Sequence, residues 1–399
     1  MKILVVGSGA REHALAWKLS GSVGVEKVYI APGNAGTRLV GENINIPAKD
    51  IRGLKDYALK NRIDLTVAGP ELPLTLGIAD EFEKAGLKLF GPSKKAAQIE
   101  GSKAFSKDLM ARYGIPTADY RRFSGYAEAL KYIKAGHPPY VVKADGLAAG
   151  KGVIICGTMD EACEAVGLIM EKKAFGSAGD TVVIEEFLEG EEASFLAVTD
   201  GSTVIPLAPA QDHKAIGDND KGPNTGGMGA YSPAPVLTPA LEKEIMDTIM
   251  VPAVKAMEAE GMPYKGVLYA GLMIQDNRPK ALEFNCRLGD PETQPILMRL
   301  EGDLAGLFVS AIEGRLEGVE LKWSERASVC VVMASKGYPG DYEKGKVIRG
   351  LEDASRLDDV MVFHAGTALK DNETITSGGR GLGVTALGVT IKDAIERPY

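Results

Sequence analysis

The sequence predicts an α/β protein of roughly three domains, and three observations carry that prediction. The 399 residues, 45% hydrophobic and 25% charged, are too many for one core and ordinary for a soluble globular protein. Apolar strand runs alternate with helical patterns through residues 1–100, the pattern of a parallel α/β sheet. Shorter apolar runs and helical patterns recur through 117–190 and again through 327–399, as two smaller α/β pieces. The expected domains are 1–100, 101–325 and 326–399.

Composition narrows the function classes before any motif is read. A net charge of −8 argues against a nucleic-acid surface, yet a local basic pocket can still take small anions. The four cysteines, Cys156, Cys163, Cys286 and Cys330, have no C-x-x-C spacing, so neither a zinc site nor a redox pair is expected. Met1-Lys2 runs straight into an apolar strand and then glycine, unlike a signal peptide, and no apolar run reaches membrane-spanning length. The expectation is a cytoplasmic protein with neither membrane nor nucleic acid as partner.

In the first hundred residues the runs ILVVG (3–7), VYIA (28–31), LTVAG (65–69) and LKLFG (87–91) read as strands beside helical segments. The turn Gly7-Ser-Gly9-Ala-Arg11-Glu12 resembles a dinucleotide turn, but its third glycine is Glu12. The second strand ends in Ala31-Pro32-Gly33-Asn34, with no acid for a ribose. What remains is an anion site at a helix N-terminus, Gly9 amide with Arg11 adjacent, weighed against glycines that serve only tight packing. Gly69-Pro70-Glu71 ends another strand at the same sheet edge.

A helix is expected from 101 to 114, ended by Ile115-Pro116. Residues 140–155, YVVKADGLAAGKGVII, then read as two strands around a glycine-rich tip. Gly146, Gly150 and Gly152 let backbone amides approach an anion, with Lys143 on the strand and Lys151 in the tip. A phosphate cradle and a plain hairpin tip both fit; a Walker loop does not, since no G-x-x-x-x-G-K-[ST] occurs. Glu185, Glu186, Phe187 and Leu188, followed by Glu191, suit an adenine slot with a carboxylate for ribose hydroxyls. An acidic hinge has the same composition.

Residues 206–233 are neither periodic nor low-complexity, and read as an ordered substrate loop holding Asp212, His213, Lys214 and Gly226. Beyond a helix over 239–261 come strands at 267–274 and 280–286. Alternation puts Leu282, Phe284 and Cys286 on one face of the second strand and Glu283, Asn285 and Arg287 on the other. Two oxygens and a guanidinium on one face suit Mg²⁺ bridging phosphates. The same alternation also describes any half-exposed strand. Asp290 is expected to cap the next helix, with Pro291 in its first turn.

With these motifs read, the chain resembles the ATP-grasp superfamily and, within it, the phosphoribosylamine–glycine ligases (glycinamide ribonucleotide synthetases) of purine synthesis. The likeness runs the length of the chain: GSGAREHAL at 7–15, APGNAGT at 31–37, KADGLAAGKGV at 143–153, EEFLEGEE at 185–192, QDHKAIGDNDKGPNTGGMGAYSP at 211–233 and EFNCRLGDPETQ at 283–294. The last two are the most specific. The resemblance implies an N-terminal pre-ATP-grasp domain on the substrate-phosphate side, an ATP-grasp core with a small mobile lid at about 120–190, and a small C-terminal domain. It implies that Lys103 and Lys143 contact ATP phosphates under a loop at Gly150, Lys151 and Gly152. Residues Glu185, Glu186, Phe187 and Leu188 would line the adenine, Glu191 the ribose, and Glu283 and Asn285 the metal. Gly9, Arg11, Glu12, Asp212, Lys214, Asn224, Thr225, Gly226, Arg287, Gly289 and Asp290 fall to the substrates, with Lys143, Arg287 and Asp290 the expected catalytic set.

The implied reaction joins glycine to 5-phosphoribosylamine with ATP and Mg²⁺, Mn²⁺ being the alternative ion, in a monomer or else a dimer. Another ATP-grasp ligase or carboxylase, or a nucleotide sensor without turnover, are the rival readings. Three departures from the family pattern stand out. Residues 269–274 offer no carboxylate as a second metal ligand, and Gly381 beside the Gly378-Gly379-Arg380 turn replaces a larger apolar residue. The chain stops at Tyr399 just after a helix begins near Lys392, so the C-terminal domain is expected to be incomplete.

Overall fold

The computed structural model describes residues 1–148, 152–218 and 221–397. Its first unit is a parallel sheet of β1 (Lys2–Gly7), β2 (Lys27–Pro32), β3 (Glu42–Asn43), β4 (Leu65–Ala68) and β5 (Leu89–Phe90), in the order β3-β2-β1-β4-β5. Leu4 and Val6 enter one apolar cluster while Ile3 and Val5 enter another, so both faces of β1 are buried. That is why its sequence is continuously apolar instead of alternating. Gly7 and Gly69 end two of these strands because a Cβ at either would collide with the side chain of Glu12.

The next unit is antiparallel: β6 (Tyr120–Phe123), β7 (Tyr140–Ala144), β8 (Val153–Cys156) and β9 (Val182–Glu186), in the order β6-β9-β7-β8. It has its own core, with Ile133, Val142, Val166 and Ile184 nearly inaccessible. A module with a separate core can move as a body. β7 and β8 form the expected hairpin, Lys143 facing Val153 in the register. Its tip residues Gly150 and Lys151 lie outside the described residues. Asp145 anchors this module to the start of helix Lys103–Arg112, accepting from the Ser102 hydroxyl at 3.0 Å and the Ala104 amide at 3.1 Å.

A third sheet has the order β11-β10-β14-β15 and is antiparallel, built of β10 (Glu191–Thr199), β11 (Val204–Pro206), β14 (Gly266–Gln275) and β15 (Arg278–Asn285). Asp276 and Asn277, at φ 51° and 57°, make the left-handed turn that joins β14 to β15. Between β11 and β14 in the chain's path lie β12 (Gln211–Gly217) and β13 (Lys221–Ser232). They correct the expectation of a loop at 206–233. The segment is a hairpin, and β13 pairs with β18 (Ala327–Ala334) about a hundred residues later. Register shifts at His213/Ala215 and Ala215/Gly217 break the alternation that would have marked it as a strand.

The fourth sheet therefore takes strands from two parts of the chain, in the order β12-β13-β18-β22-β19, with β19 (Val360–His364) and β22 (Arg380–Gly388). Among the described residues two short ladders remain: β16 (Leu300–Glu301) with β17 (Lys322–Trp323), and β20 (Thr367–Lys370) with β21 (Glu373–Thr376). Among the described residues no helix is long and apolar enough to cross a membrane.

Two further corrections concern the stretch after β14. Phe284 and Cys286 are buried as expected, but Leu282 is only half-buried, because a bulge between Gly271 and Leu272 leaves it without an opposing residue. Asp290 is not a helix cap. The helix is Thr293–Arg299, its first turn closed by the Gly289 carbonyl, and Asp290 turns instead to Gln294 at 3.0 Å and Arg380 at 3.3 Å.

Candidate active site

The site lies where β15 faces the β6–β9 module, the N-terminal sheet edge and the β12–β13 hairpin. After the bulge, Asn285 and Arg287 share a face, shown by the 3.1 Å hydrogen bond from Arg287 Nη2 to Asn285 Oδ1, and Glu283, two residues earlier, feels the charge of Arg287. Arg287 is the hub. Its Nη2 lies 3.0 Å from Glu100 Oε1, its Nε 3.4 Å from Glu71 Oε2, and its Nη1 donates to the Leu288 carbonyl at 3.2 Å. Glu100 also accepts from the Cys286 amide at 2.7 Å. Burial holds Glu100 above the usual carboxylate value, outweighing the pull of Arg287. Glu71 goes the other way: Arg287 and Arg11 together overcome burial and hold it low.

Four cations act on Glu283. Burial alone would raise this carboxyl, but Lys214, Lys143, Lys103 and Arg287 outweigh it and keep it below its usual value. Lys143 Nζ donates to the Leu282 carbonyl at 3.3 Å and ion-pairs with Glu185 at 2.8 Å. Lys103 Nζ donates to the Gly146 carbonyl at 2.9 Å, which ties helix Lys103–Arg112 to the tip of the β7–β8 hairpin. Lys214 pairs with Glu192, and its charged form is further favoured by Asp212 and Glu283 against burial. Asp212 is pushed well above the usual carboxylate value by burial, with Glu292 and Glu192 adding to it against Lys214. Glu292 is inaccessible, its Oε1 accepting from Tyr269 at 2.5 Å and Ser194 at 3.0 Å.

A second group joins the N- and C-terminal parts. Asp290 is held low because Arg380 and Arg11 together outweigh burial. Arg380 Nη1 donates to the Asp290 carbonyl at 2.8 Å and to the Gly226 carbonyl, while the Gly226 amide donates to Tyr338 at 3.0 Å. The Gly378-Gly379-Arg380 turn thus reaches the residues expected on the substrate side. Thr225 donates to the Lys214 carbonyl at 2.8 Å and accepts the Gly227 amide at 3.0 Å, closing the hairpin around Gly226.

Other expected residues sit differently. The Gly9 amide, read as an anion donor, binds Glu12 at 2.5 Å; the anion held by this turn is the chain's own carboxylate. Arg11 pairs with that carboxylate at 2.6 Å and donates to the Leu288 carbonyl at 3.1 Å, so it ties the first helix to the stretch after β15. Glu185 is buried between Lys107 and Lys143, with which it forms ion pairs. Glu186 accepts from the Asp119 amide at 3.1 Å and Lys280 at 3.0 Å. Phe187 and Leu188 are half-buried and buried beside them, whereas Glu191 and Asn224 are exposed. Gly152 and Gly289 are buried, the latter against Glu292.

Glu100, Lys107 and Glu292 are the participants that sequence reading missed. Each looks like an ordinary charged residue on a helix or turn, and only burial sets it apart. The loop at 31–37 was also read without its role: Asn34 donates to the His364 carbonyl at 2.7 Å and to the Ser8 carbonyl at 2.9 Å, clasping the C-terminal sheet to the first turn.

Among the described residues no three His, Cys, Asp or Glu side chains gather as a closed metal site. Glu283 and Asn285 are nonetheless hard oxygen donors on one face, which fits an ion that takes its other ligands from phosphate and water. A carboxylate, an amide oxygen and four cations thus come together where β15 meets the β6–β9 module, beside the linked group of Asp290, Gly226 and Arg380, an arrangement whose chemistry suits an anion and its counter-ion.

Comparison with known proteins agrees with this architecture. Family models match consecutively: the N domain of phosphoribosylglycinamide synthetase at residues 1–100, its ATP-grasp (A) domain at 101–293 and its C domain at 328–399. A phosphoribosylamine–glycine ligase of Vibrio vulnificus is 54% identical over 402 residues, covering 100% of this chain and 94% of that protein. The crystal structure of a phosphoribosylamine–glycine ligase from Thermotoga maritima superposes with a TM-score of 0.85 at 35% identity, covering 100% of this chain and 95% of the other. The biotin carboxylase domain of a Hydrogenobacter thermophilus 2-oxoglutarate carboxylase shares the fold alone, with a TM-score of 0.76 at 19% identity over 99% of this chain and 88% of that one. On the strength of three domain matches in order and identity along the whole length, the chain belongs to the phosphoribosylglycinamide synthetase family.

Proposed function

We propose that the chain is an ATP-dependent carbon–nitrogen ligase that joins glycine to 5-phosphoribosylamine in de novo purine (IMP) biosynthesis, giving glycinamide ribonucleotide, ADP and phosphate. The observation that carries the reading is the buried Glu283 carboxyl, held below its usual value by the charges of Lys214, Lys143, Lys103 and Arg287, on a chain 54% identical throughout to a phosphoribosylamine–glycine ligase.

The chemistry follows from the reactants. A carboxylate resists attack by an amine because its oxygen is a poor leaving group. A glycine carboxylate oxygen therefore attacks the γ-phosphorus of ATP, the bond to ADP breaks, and glycyl phosphate forms. The amine nitrogen of phosphoribosylamine then attacks the acyl carbon, phosphate leaves with the original carboxylate oxygen, and the amine loses a proton. The protein's task is positioning and charge neutralisation, with no side-chain nucleophile required. Lys103 and Lys143 hold the phosphates, and Arg287, fixed by Glu71 and Glu100, faces the transferring group. The lid excludes water that would hydrolyse the acyl phosphate. Glu283 and Asn285 would hold Mg²⁺, with Mn²⁺ as the alternative, which when bound neutralises the phosphoryl oxygens. Asp290, Gly226 and Lys214 face the glycine and amine side, and Asp212, held protonated more readily than an ordinary carboxylate, is placed to exchange a proton there.

ADP release with glycine and phosphoribosylamine supplied separately and together tests this reading. Release that requires both supports it. Stimulation by bicarbonate or another amino acid in place of glycine would transfer the chain to a different ligase reaction.

A further inference from the structure

We propose that Lys107 is a positioning residue for the nucleotide: through Glu185 it sets the place and the net charge of the Lys143 ammonium at the phosphate pocket. The proposal rests on the reading of that pocket as a nucleotide site.

Lys107 sits in helix Lys103–Arg112 and is 2% exposed, although a lysine on a helix face normally extends its ammonium to water. Glu185, on β9, is equally buried at 2%. Its two oxygens divide between two ammonium groups, Oε2 at 2.8 Å from Lys107 and Oε1 at 2.8 Å from Lys143. The connections close into a ring. Lys107 donates to Thr117 Oγ1 at 2.8 Å, Thr117 donates to the Ala281 carbonyl at 2.6 Å, and Lys143 donates to the neighbouring Leu282 carbonyl at 3.3 Å. One helix, two strands of the lid module and β15 thus meet through three buried charges.

The charge count decides the role. Two ammonium groups around the one Glu185 carboxylate leave a surplus positive charge in this triad, and burial makes it felt strongly by Glu283 and by anything entering beside Lys143. The other charged groups that act on Lys107 are Glu283 on β15 and, more weakly, Glu186 at the end of β9. Were the ring only structural, one lysine would neutralise one glutamate, and a second buried lysine would be a burden. Removing Lys107 leaves a neutral Glu185–Lys143 pair that draws Lys143 away from phosphate. Removing both Lys107 and the charge of Glu185 restores +1 on Lys143.

The test compares Lys107→Met, Glu185→Gln and the double variant by calorimetric binding of ATP with Mg²⁺, alongside KM for ATP and for glycine. Lys107→Met should weaken ATP on the order of tenfold while leaving the KM for glycine nearly unchanged. The double variant should recover most of that loss. A double variant as weak as the single one, or equal losses for both substrates, would overturn the proposal and return Lys107 to a packing role. Should Lys107→Met fail to fold, Lys107→Gln decides, since it removes the charge and keeps a polar side chain beside Thr117 and Glu185. It should weaken ATP by a few-fold, and unchanged ATP affinity would overturn the proposal. Failure of the wild type to bind ATP would instead remove the nucleotide reading itself.

Discussion

Replacing Arg287 with methionine, Arg287→Met, should destabilise the protein in a way that acid relieves. The side chain compensates two carboxylates, Glu100 at 3.0 Å and Glu71 at 3.4 Å, and Glu100 is almost inaccessible. Removing one partner of a buried ion pair costs about 3–5 kcal/mol because the remaining charge is stranded. At about 2–4 °C per kcal/mol for a unit of this size, the melting temperature should fall by about 6–20 °C at neutral pH. The pH dependence follows from the two directions of shift. Glu100 already lies above its usual value in the folded protein, so it destabilises the fold as pH rises past that usual value. Losing Arg287 pushes it higher still, and also removes the stabilisation that Glu71, held low by the same guanidinium, contributes above its usual value. The Glu100 effect fades as pH falls toward its usual value, whereas the Glu71 effect persists until pH falls below that value. Thermal unfolding of the two proteins at about pH 8 and about pH 5 measures this. A loss of under about 1 kcal/mol, or one that does not shrink toward acid, would refute the account of Arg287 as a compensated buried charge.

Further outcomes follow from other parts of the site. Glu283→Gln should fold normally and lose most activity, since it faces cations and not the core; normal turnover at ordinary Mg²⁺ would remove it from the site. Arg380→Met frees the Asp290 and Gly226 carbonyls, so it should lower kcat/KM for glycine or the amine by about 10- to 100-fold and spare ATP binding. Equal loss of ATP binding would make Arg380 a general packing residue. Exchange of the Gly146 and Gly152 amides should slow when ATP and Mg²⁺ are added; equal exchange in both states would reduce the β7–β8 tip to an ordinary hairpin end.

The N-terminal sheet was legible because parallel strands buried on both faces leave unbroken apolar runs, as residues 3–6 do. The polar face of β15 was legible too, from strict alternation after Glu283. The bulge at Leu282 was not, since it depends on the register against β14. Nor was the β12–β13 hairpin, whose stabilising partner β18 is remote and whose glycines and prolines hide any period. The β20–β21 hairpin went unread although Asp371 and Asn372, at φ 50° and 64°, supply its turn. Buried ion pairs were the least legible feature. Lys107, Glu185, Glu100 and Glu292 carry no local mark of burial, because what buries them comes from helices and strands far along the chain.

The central claim is that glycine is activated as an acyl phosphate before the amine attacks, and its atoms can be followed directly. Glycine labelled with ¹⁸O in its carboxylate is supplied with ATP, Mg²⁺ and phosphoribosylamine, and the phosphate released is analysed by mass. The account predicts that each phosphate carries one labelled oxygen, since the oxygen that attacks phosphorus leaves with it when the amide forms. Unlabelled phosphate, released by attack of water on ATP, would contradict it.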